Sequence, residues 1–253
     1  MRAFSQFIGV DLGGGKGKNT AVARLRVADD GALEVVDYGT GKEAPWYDDR
    51  LIAYLREQPD ALVAIDAPLT LPSCLTDGNA PIVTWFRERE NGARVAGKKP
   101  KYTPYTQRAT EVILHEEHQI LPRETLGQGM GPLAARGVYL VRELAGSHRL
   151  DENLIEVYPK ATLIQLFGKK RVDKYKRSAE SPATRLEILN ALPDVRFAPG
   201  QWRQHALDND HKFDAIMCAY TAYLWSQGRC VAPTSDVVKR DGWIWFPKTD
   251  HSP

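Results

Sequence analysis

The stretch from Phe7 to Leu25, FIGVDLGGGKGKNTAVARL, decides how the rest of the chain is read. An apolar run from Phe7 to Val10 stops on Asp11, a glycine-rich turn follows, and a second apolar run starts at Thr20. That pattern predicts a buried strand, a sharp turn and a returning strand. Three chemistries are compatible with it. Asp11 holds a metal ion, the glycine amides cradle a phosphate with Lys16 or Lys18 adding charge, or the segment is an ordinary hairpin in which Asp11 only shapes the turn. The glycines lack the spacing of a P-loop or of a dinucleotide fingerprint.

Working outward, Thr20 to Val27 and Leu33 to Tyr38 read as two strands around the turn signal DDG at Asp29–Gly31, completing an antiparallel meander. Trp46 to Arg56 suits a short amphipathic helix that Pro59 ends. ALVAIDAP, Ala61 to Pro68, is a continuous apolar strand that again stops on an aspartate, Asp66. Leu69 to Gly131 mixes prolines, glycines and charges with two helical patterns, around Pro81–Glu90 and Gln107–Glu117, and is read as an insertion over the sheet. Pro132 to Ala145 is helical, Leu154 to Gly168 is a strand turning at Pro159 into a helix, and Pro182 to Ala191 is a further helix. One long closing helix is expected from about Leu207 to Gln227, with Phe213, Ile216, Tyr220 and Leu224 on one stripe, before a short terminal strand within Asp241–Pro247. Alternating strands and helices after the meander predict an α/β fold: a mixed sheet, with an antiparallel three-strand meander plus parallel strands, flanked by helices. The expectation is one domain over residues 1–253 with the insertion at about 69–131, in the element order of ribonuclease H-like domains.

Composition narrows the function. The 253 residues carry 34 basic and 32 acidic side chains, so no global field draws nucleic acid or membrane, and any attraction is local. Cys74, Cys218 and Cys230 have neither paired nor CxxC spacing, which argues against a disulfide framework or a zinc ribbon and fits a reducing compartment. No apolar run approaches the ~18 residues of a membrane span, and no signal core is apparent, so a cytoplasmic protein is expected. Six scattered histidines define no nucleophile's base.

The acids define the chemistry instead. Two divalent ions roughly 4 Å apart activate water and stabilise a leaving oxygen in phosphodiester hydrolysis, and hard oxygen ligands suit Mg²⁺ or Mn²⁺. Asp11 and Asp66 end strands expected to be neighbours, and Asp210 and Asp214 lie four residues apart on one face of the closing helix. Asp11, Asp66 and Asp214 are therefore expected as metal ligands, with Asp210 as a further ligand and Glu156, in IEVYP, as a supporting catalytic acid. The bland readings are a helix-start acid for Asp210 and a satisfied buried carboxylate for Glu156. His211 reads as structural.

GVDLGGG, AIDAPLTLP, EVYPKATL and DHKFDAIMCAYTA, followed by DGWIWFP, together resemble the domain of unknown function 429 family, which is grouped with predicted ribonuclease H-like nucleases. The resemblance runs in order over nearly the whole chain. It implies a ribonuclease H-like fold with an acidic site in which Asp11, Asp66 and Asp214 match recurrent acidic positions. Arg108 and Glu111 in TQRATEVIL match its arginine-then-acid pattern.

The expected substrate is nucleic acid. Arg94, Lys98, Lys99 and Lys101 alternate with Tyr102 and Tyr105 in one loop, and GKKRVDKYKR crowds six cations from Lys169 to Arg177, a pattern suited to phosphates and stacked bases or to plain solvated loops. Lys16, Lys18, Arg108, Glu111 and Lys160 are the expected substrate contacts. Two rival functions remain. An ATP-using phosphotransferase of the actin-like type would need a second glycine turn that the chain lacks, and a non-catalytic binding protein would tolerate Asp11→Asn.

Overall fold

Buried alternation along the first strand sets the architecture, because Phe7, Gly9 and Asp11 face one side of the sheet while Ile8 and Val10 face the other. The computed structural model describes residues 3–14, 19–39, 45–78, 80–93, 100–192, 194–200 and 202–249. In chain order its first half runs β1 (Gln6–Asp11), β2 (Ala21–Val27), β3 (Leu33–Gly39), α1 (Asp48–Arg56), β4 (Leu62–Asp66), α2 (Ser73–Thr76), α3 (Ile82–Ala93), α4 (Ala109–His118) and α5 (Gly131–Leu144). The second half runs β5 (Leu154–Val157), α6 (Pro159–Phe167), α7 (Lys169–Val172), α8 (Ser181–Asn190), β6 (Val195–Phe197), α9 (Trp202–Asp208), α10 (Asp210–Ser226), α11 (Asp236–Asp241) and β7 (Ile244–Trp245).

The strands form one seven-stranded sheet in the order β6-β3-β2-β1-β4-β5-β7. β1, β2 and β3 pair antiparallel, as the short turns between them require, whereas β4 joins β1 and β5 joins β4 in parallel after helical crossovers. The central order 3-2-1-4-5 with a reversed second strand is the ribonuclease H-like arrangement, as expected. One face, carrying Phe7, Leu62 and Ala64, packs on Phe213, Ala215, Ile216 and Ala219 of α10. The other, carrying Ile8, Val10, Val63 and Ile65, packs on Leu51 and Leu55 of α1 and Leu140 and Leu144 of α5. A third cluster joins α3, α4 and α11 through Ile82, Phe86, Ile113 and Val238 to Trp243 and Phe246 beside β7. The expected insertion therefore has apolar residues of its own and lies against the β5–β7 edge.

Two expectations about elements are corrected. The single closing helix is broken at Asn209, whose extended backbone and side chain, accepting from the Lys212 N–H at 3.1 Å, start α10 afresh. Apolar Ala206 and Leu207 before the break and the stripe from Phe213 after it conceal it. β6, α2, α7 and α11 are not predicted, since elements of three to six residues contain too little of either period to register.

The glycine turn after β1 is held from outside. Arg136 of α5 donates to the Gly13 carbonyl, to Thr20 Oγ1 at 2.9 Å and to Asp48 Oδ1 at 2.7 Å, so one buried guanidinium ties both ends of the turn to α1. Lys16 and Lys18 lie outside the described residues, as do Arg94, Lys98 and Lys99. Among the described residues no helix is long and apolar enough to cross a membrane.

Candidate metal centre

Register brings the first two acids together. Asp11 and Asp66 are Cα partners in the parallel β1–β4 ladder, so their side chains leave the sheet side by side on the face that α10 covers. α10 runs antiparallel to β1: Tyr223 packs on Phe7, Ala215 and Ala219 abut Gly9, and His211 meets Asp11. The N-terminal part of the helix therefore lies at the ends of the strands, and it supplies Asp214. One carboxylate oxygen from each of Asp11, Asp66 and Asp214 falls within 4.8 Å of the others. Asp214 is fully buried, and neither of its oxygens takes a properly directed hydrogen bond among the described residues, although Lys176 sits against one of them as an ion pair.

The charges respond to this crowding. Burial, then the Asp11 and Asp214 charges, pushes the Asp66 carboxyl well above the usual aspartate range. Burial raises Asp214 to about 7 even though Lys176 pulls it down. Burial alone would lower the Lys176 ammonium, but Asp214, Asp11 and Asp66 outweigh it and hold the lysine above its ordinary value. His211 Nδ1 lies 2.6 Å from Asp11 Oδ2, and that hydrogen bond raises the imidazole. Desolvation, then the Asp66 charge, pushes the half-buried Tyr158 up to about 12.

Glu156 has a different environment from the one expected of a supporting catalytic acid. It is on β5, next to β4, but its Oε2 accepts from Arg108 Nη1 at 2.7 Å and from the Leu69 N–H at 2.8 Å, while Oε1 accepts from Arg108 Nη2 at 2.5 Å. Arg108 is completely buried and also donates from Nε to Glu111 Oε1 at 3.0 Å. Burial raises Glu111 and Arg108 opposes that rise. This fork ties α4 to β5 and to the Pro68–Leu69 corner just after Asp66, so Arg108, Glu111 and Glu156 brace the site. Ala109 N–H and Ser73 N–H, each donating to Asp241 at 2.7 Å, fasten α11 to the same corner.

A cavity of about 270 Å³ opens over the acids, lined among others by Asp11, Asp66, Glu156, Tyr158, Arg123 and Lys176. A larger hollow of about 420 Å³, around Ser147, Asn153 and Trp225, lies at the opposite ends of the strands and contains none of these groups. Asp210, in the first turn of α10 and half-exposed, stands outside the group of three acids, and Lys160 is exposed on α6. Lys101 is engaged elsewhere, 2.5 Å from Glu116. The residues that the sequence did not single out are Lys176, Arg123 and the His211–Asp11 contact. Lys176 is indistinguishable from its neighbours in a basic run, whereas the spacing of His211, three before Asp214, already placed it near that helix end.

No curated protein matches this chain. Among solved structures, the yeast mitochondrial Holliday junction resolvase is similar at 12% identity and a TM-score of 0.41, over 95% of this chain and 82% of that one. A family model matches residues 9–237, a span that includes Asp11, Asp66 and Asp214, and the chain belongs to the family described as "Protein of unknown function (DUF429)".

Proposed function

We propose that this protein is a divalent-metal-dependent phosphodiesterase acting on nucleic acid, with Asp11, Asp66 and Asp214 as the metal ligands. The observation that carries the reading is the meeting of three carboxylates from three separate elements within 4.8 Å, with Asp11 and Asp66 lining the cavity and Oδ1 of the buried Asp214 without a hydrogen-bond partner among the described residues. Such a set is costly without a cation, and its hard oxygens suit Mg²⁺ or Mn²⁺ rather than a thiophilic metal. When bound, such ions lower the pKa of water and neutralise charge developing on a phosphoryl group.

The chain's own residues do the rest. Asp11 and Asp66 are fixed by sheet register, and His211 holds one oxygen of Asp11 so that the other is presented to the cavity. The Arg108–Glu156 fork fixes the corner after Asp66 and keeps Glu156 from competing as a loose acid. Arg123 and Lys176 put positive charge on the cavity wall, where a phosphodiester would lie. Tyr158 stays protonated at neutral pH and offers an O–H to that space. Nucleic acid is favoured as substrate because the basic segment Lys169–Arg177 leads to the site and enters it at Lys176.

The test is Mn²⁺ calorimetry on the wild type, Asp11→Asn and Asp214→Asn, followed by cleavage assays on labelled single-stranded and duplex DNA and RNA. The reading requires binding that both folded variants lose, and metal-dependent cleavage that both abolish. Wild-type protein that binds Mn²⁺ as weakly as either variant overturns it.

A further inference from the structure

Resting on the metal reading, we infer that Lys176 is the internal counterion of the metal-free centre, and that it must leave Asp214 when a divalent cation binds. Three carboxylates within 4.8 Å of one another carry up to three negative charges; among the described residues Lys176, ion-paired to Asp214, and His211, on Asp11, meet this set, and of the two Lys176 is the one that contacts Asp214. The contact is built rather than incidental. Lys176 belongs to the loop between α7 and α8, and the residue before it, Tyr175, is buried with its ring 5.7 Å from that of Phe213, the neighbour of Asp214 in α10. The Tyr175 carbonyl accepts from Arg185 Nη1 at 2.7 Å, and the Lys174 carbonyl from Ser181 Oγ at 2.9 Å. At Arg177 the backbone turns through a left-handed conformation with φ of 55°. After it the Ser178 N–H donates to Ser181 Oγ at 2.9 Å, so the loop is pinned on both sides of the lysine, which projects into the cavity and remains partly open to it.

Geometry makes the ammonium and a divalent ion exclusive. The oxygen of Asp214 that meets Lys176 is one of only two, both buried, and an ion coordinated by Asp214 would stand against a like charge within contact distance. A long, flexible side chain on a pinned backbone resolves this by swinging away, so the apparent metal affinity is the intrinsic affinity reduced by the strength of the lysine pair.

The experiment compares Mn²⁺ binding to full-length wild type and Lys176→Met by calorimetry, with thermal unfolding of each in chelator and in saturating Mn²⁺. The expected result is at least tenfold tighter Mn²⁺ binding by Lys176→Met, a lower melting temperature in chelator, and a larger upward shift on adding Mn²⁺ than in the wild type. Because the variant is open to folding defects, a second measurement uses the wild type alone: amine acylation followed by peptide mass spectrometry. Mn²⁺ should raise the labelling rate of Lys176 several-fold while exposed Lys239 on α11 stays constant. Equal or weaker Mn²⁺ binding by a folded Lys176→Met, or Lys176 labelling unchanged at saturating Mn²⁺, overturns the inference and leaves the metal reading standing. If neither protein binds Mn²⁺, the metal reading fails and this inference falls with it.

Discussion

Gly9 is the position where fold and site are most tightly joined, and Gly9→Ala tests that connection. A Cβ built there would lie 1.9 Å from the Ala215 carbonyl oxygen, 2.4 Å from the Ala219 nitrogen and 2.9 Å from Cys218 Cβ. The first two obstacles are helix backbone, so no side-chain rotation relieves them. Restoring an ordinary contact of ~3.4 Å requires α10 to retreat from β1 by about 1.5 Å. Overpacking of this kind costs about 1–3 kcal/mol, and the rigid obstacle places Gly9→Ala near the upper end. For a chain of this size each kcal/mol moves the melting temperature by ~2–4 °C, giving a fall of about 6–12 °C. The same retreat carries Asp214, adjacent to Ala215, away from Asp11 and Asp66. Metal geometry tolerates only ~0.2 Å in ligand distance, so Mn²⁺ affinity should fall by tenfold or more. The assay is thermal unfolding with Mn²⁺ calorimetry, beside Gly146→Ala, whose added methyl meets nothing within 4 Å. A Gly9→Ala protein that melts within 2 °C of wild type and binds Mn²⁺ normally would refute the reasoning.

Removing charge from the acid cluster should separate stability from metal binding. Asp66→Asn removes a carboxyl whose charged form is disfavoured by burial and then by the Asp11 and Asp214 charges, so the chelator-treated variant should gain about 1 kcal/mol in urea unfolding while losing Mn²⁺ binding in calorimetry. The pH dependence follows from the raised carboxyls. Asp66 and Asp214 hold protons in the folded protein that the unfolded chain releases above its ordinary aspartate pKa of 3.8, so they make metal-free stability fall as pH rises from about 4 through about 7. Urea midpoints in chelator at pH 5 and pH 8 test the sign, and Asp66→Asn should flatten the slope. Arg108→Met strands two buried carboxylates, Glu156 and Glu111, and should cost about 3–5 kcal/mol by urea unfolding. Arg108→Lys should recover only part of that, since one ammonium cannot replace the two-pronged contact to Glu156. Asp210→Asn should change Mn²⁺ affinity less than threefold by calorimetry, because Asp210 stands outside the group of three.

What the sequence made legible was whatever repeats locally. The two apolar runs ending on Asp11 and Asp66 announced buried neighbouring strands, and DHKFDAIMCAYTA announced a helix with few exposed faces, so the three acids could be named before their meeting was seen. Charge pairing was not legible, because it is settled by tertiary placement. In GKKRVDKYKR every cation reads alike, and only the fold of the loop shows that Lys176 meets buried Asp214 while Lys174 pairs with exposed Glu180. Glu156 and Arg108 are 48 residues apart, and only the fold of the intervening helices shows that the acid expected beside the metal has both oxygens engaged by a guanidinium. Helix breaks belong to an intermediate class: Asn209 carries a readable start signal, masked by apolar Ala206 and Leu207 just before it and the apolar stripe from Phe213 after it. The practical consequence concerns how such sites are sought. Hydrophobic period and strand-end acids locate a candidate metal centre in a sequence of this kind, but the residues placed against its acids, here Lys176 on Asp214 and His211 on Asp11, are chosen by the packing of the loop and helix that carry them.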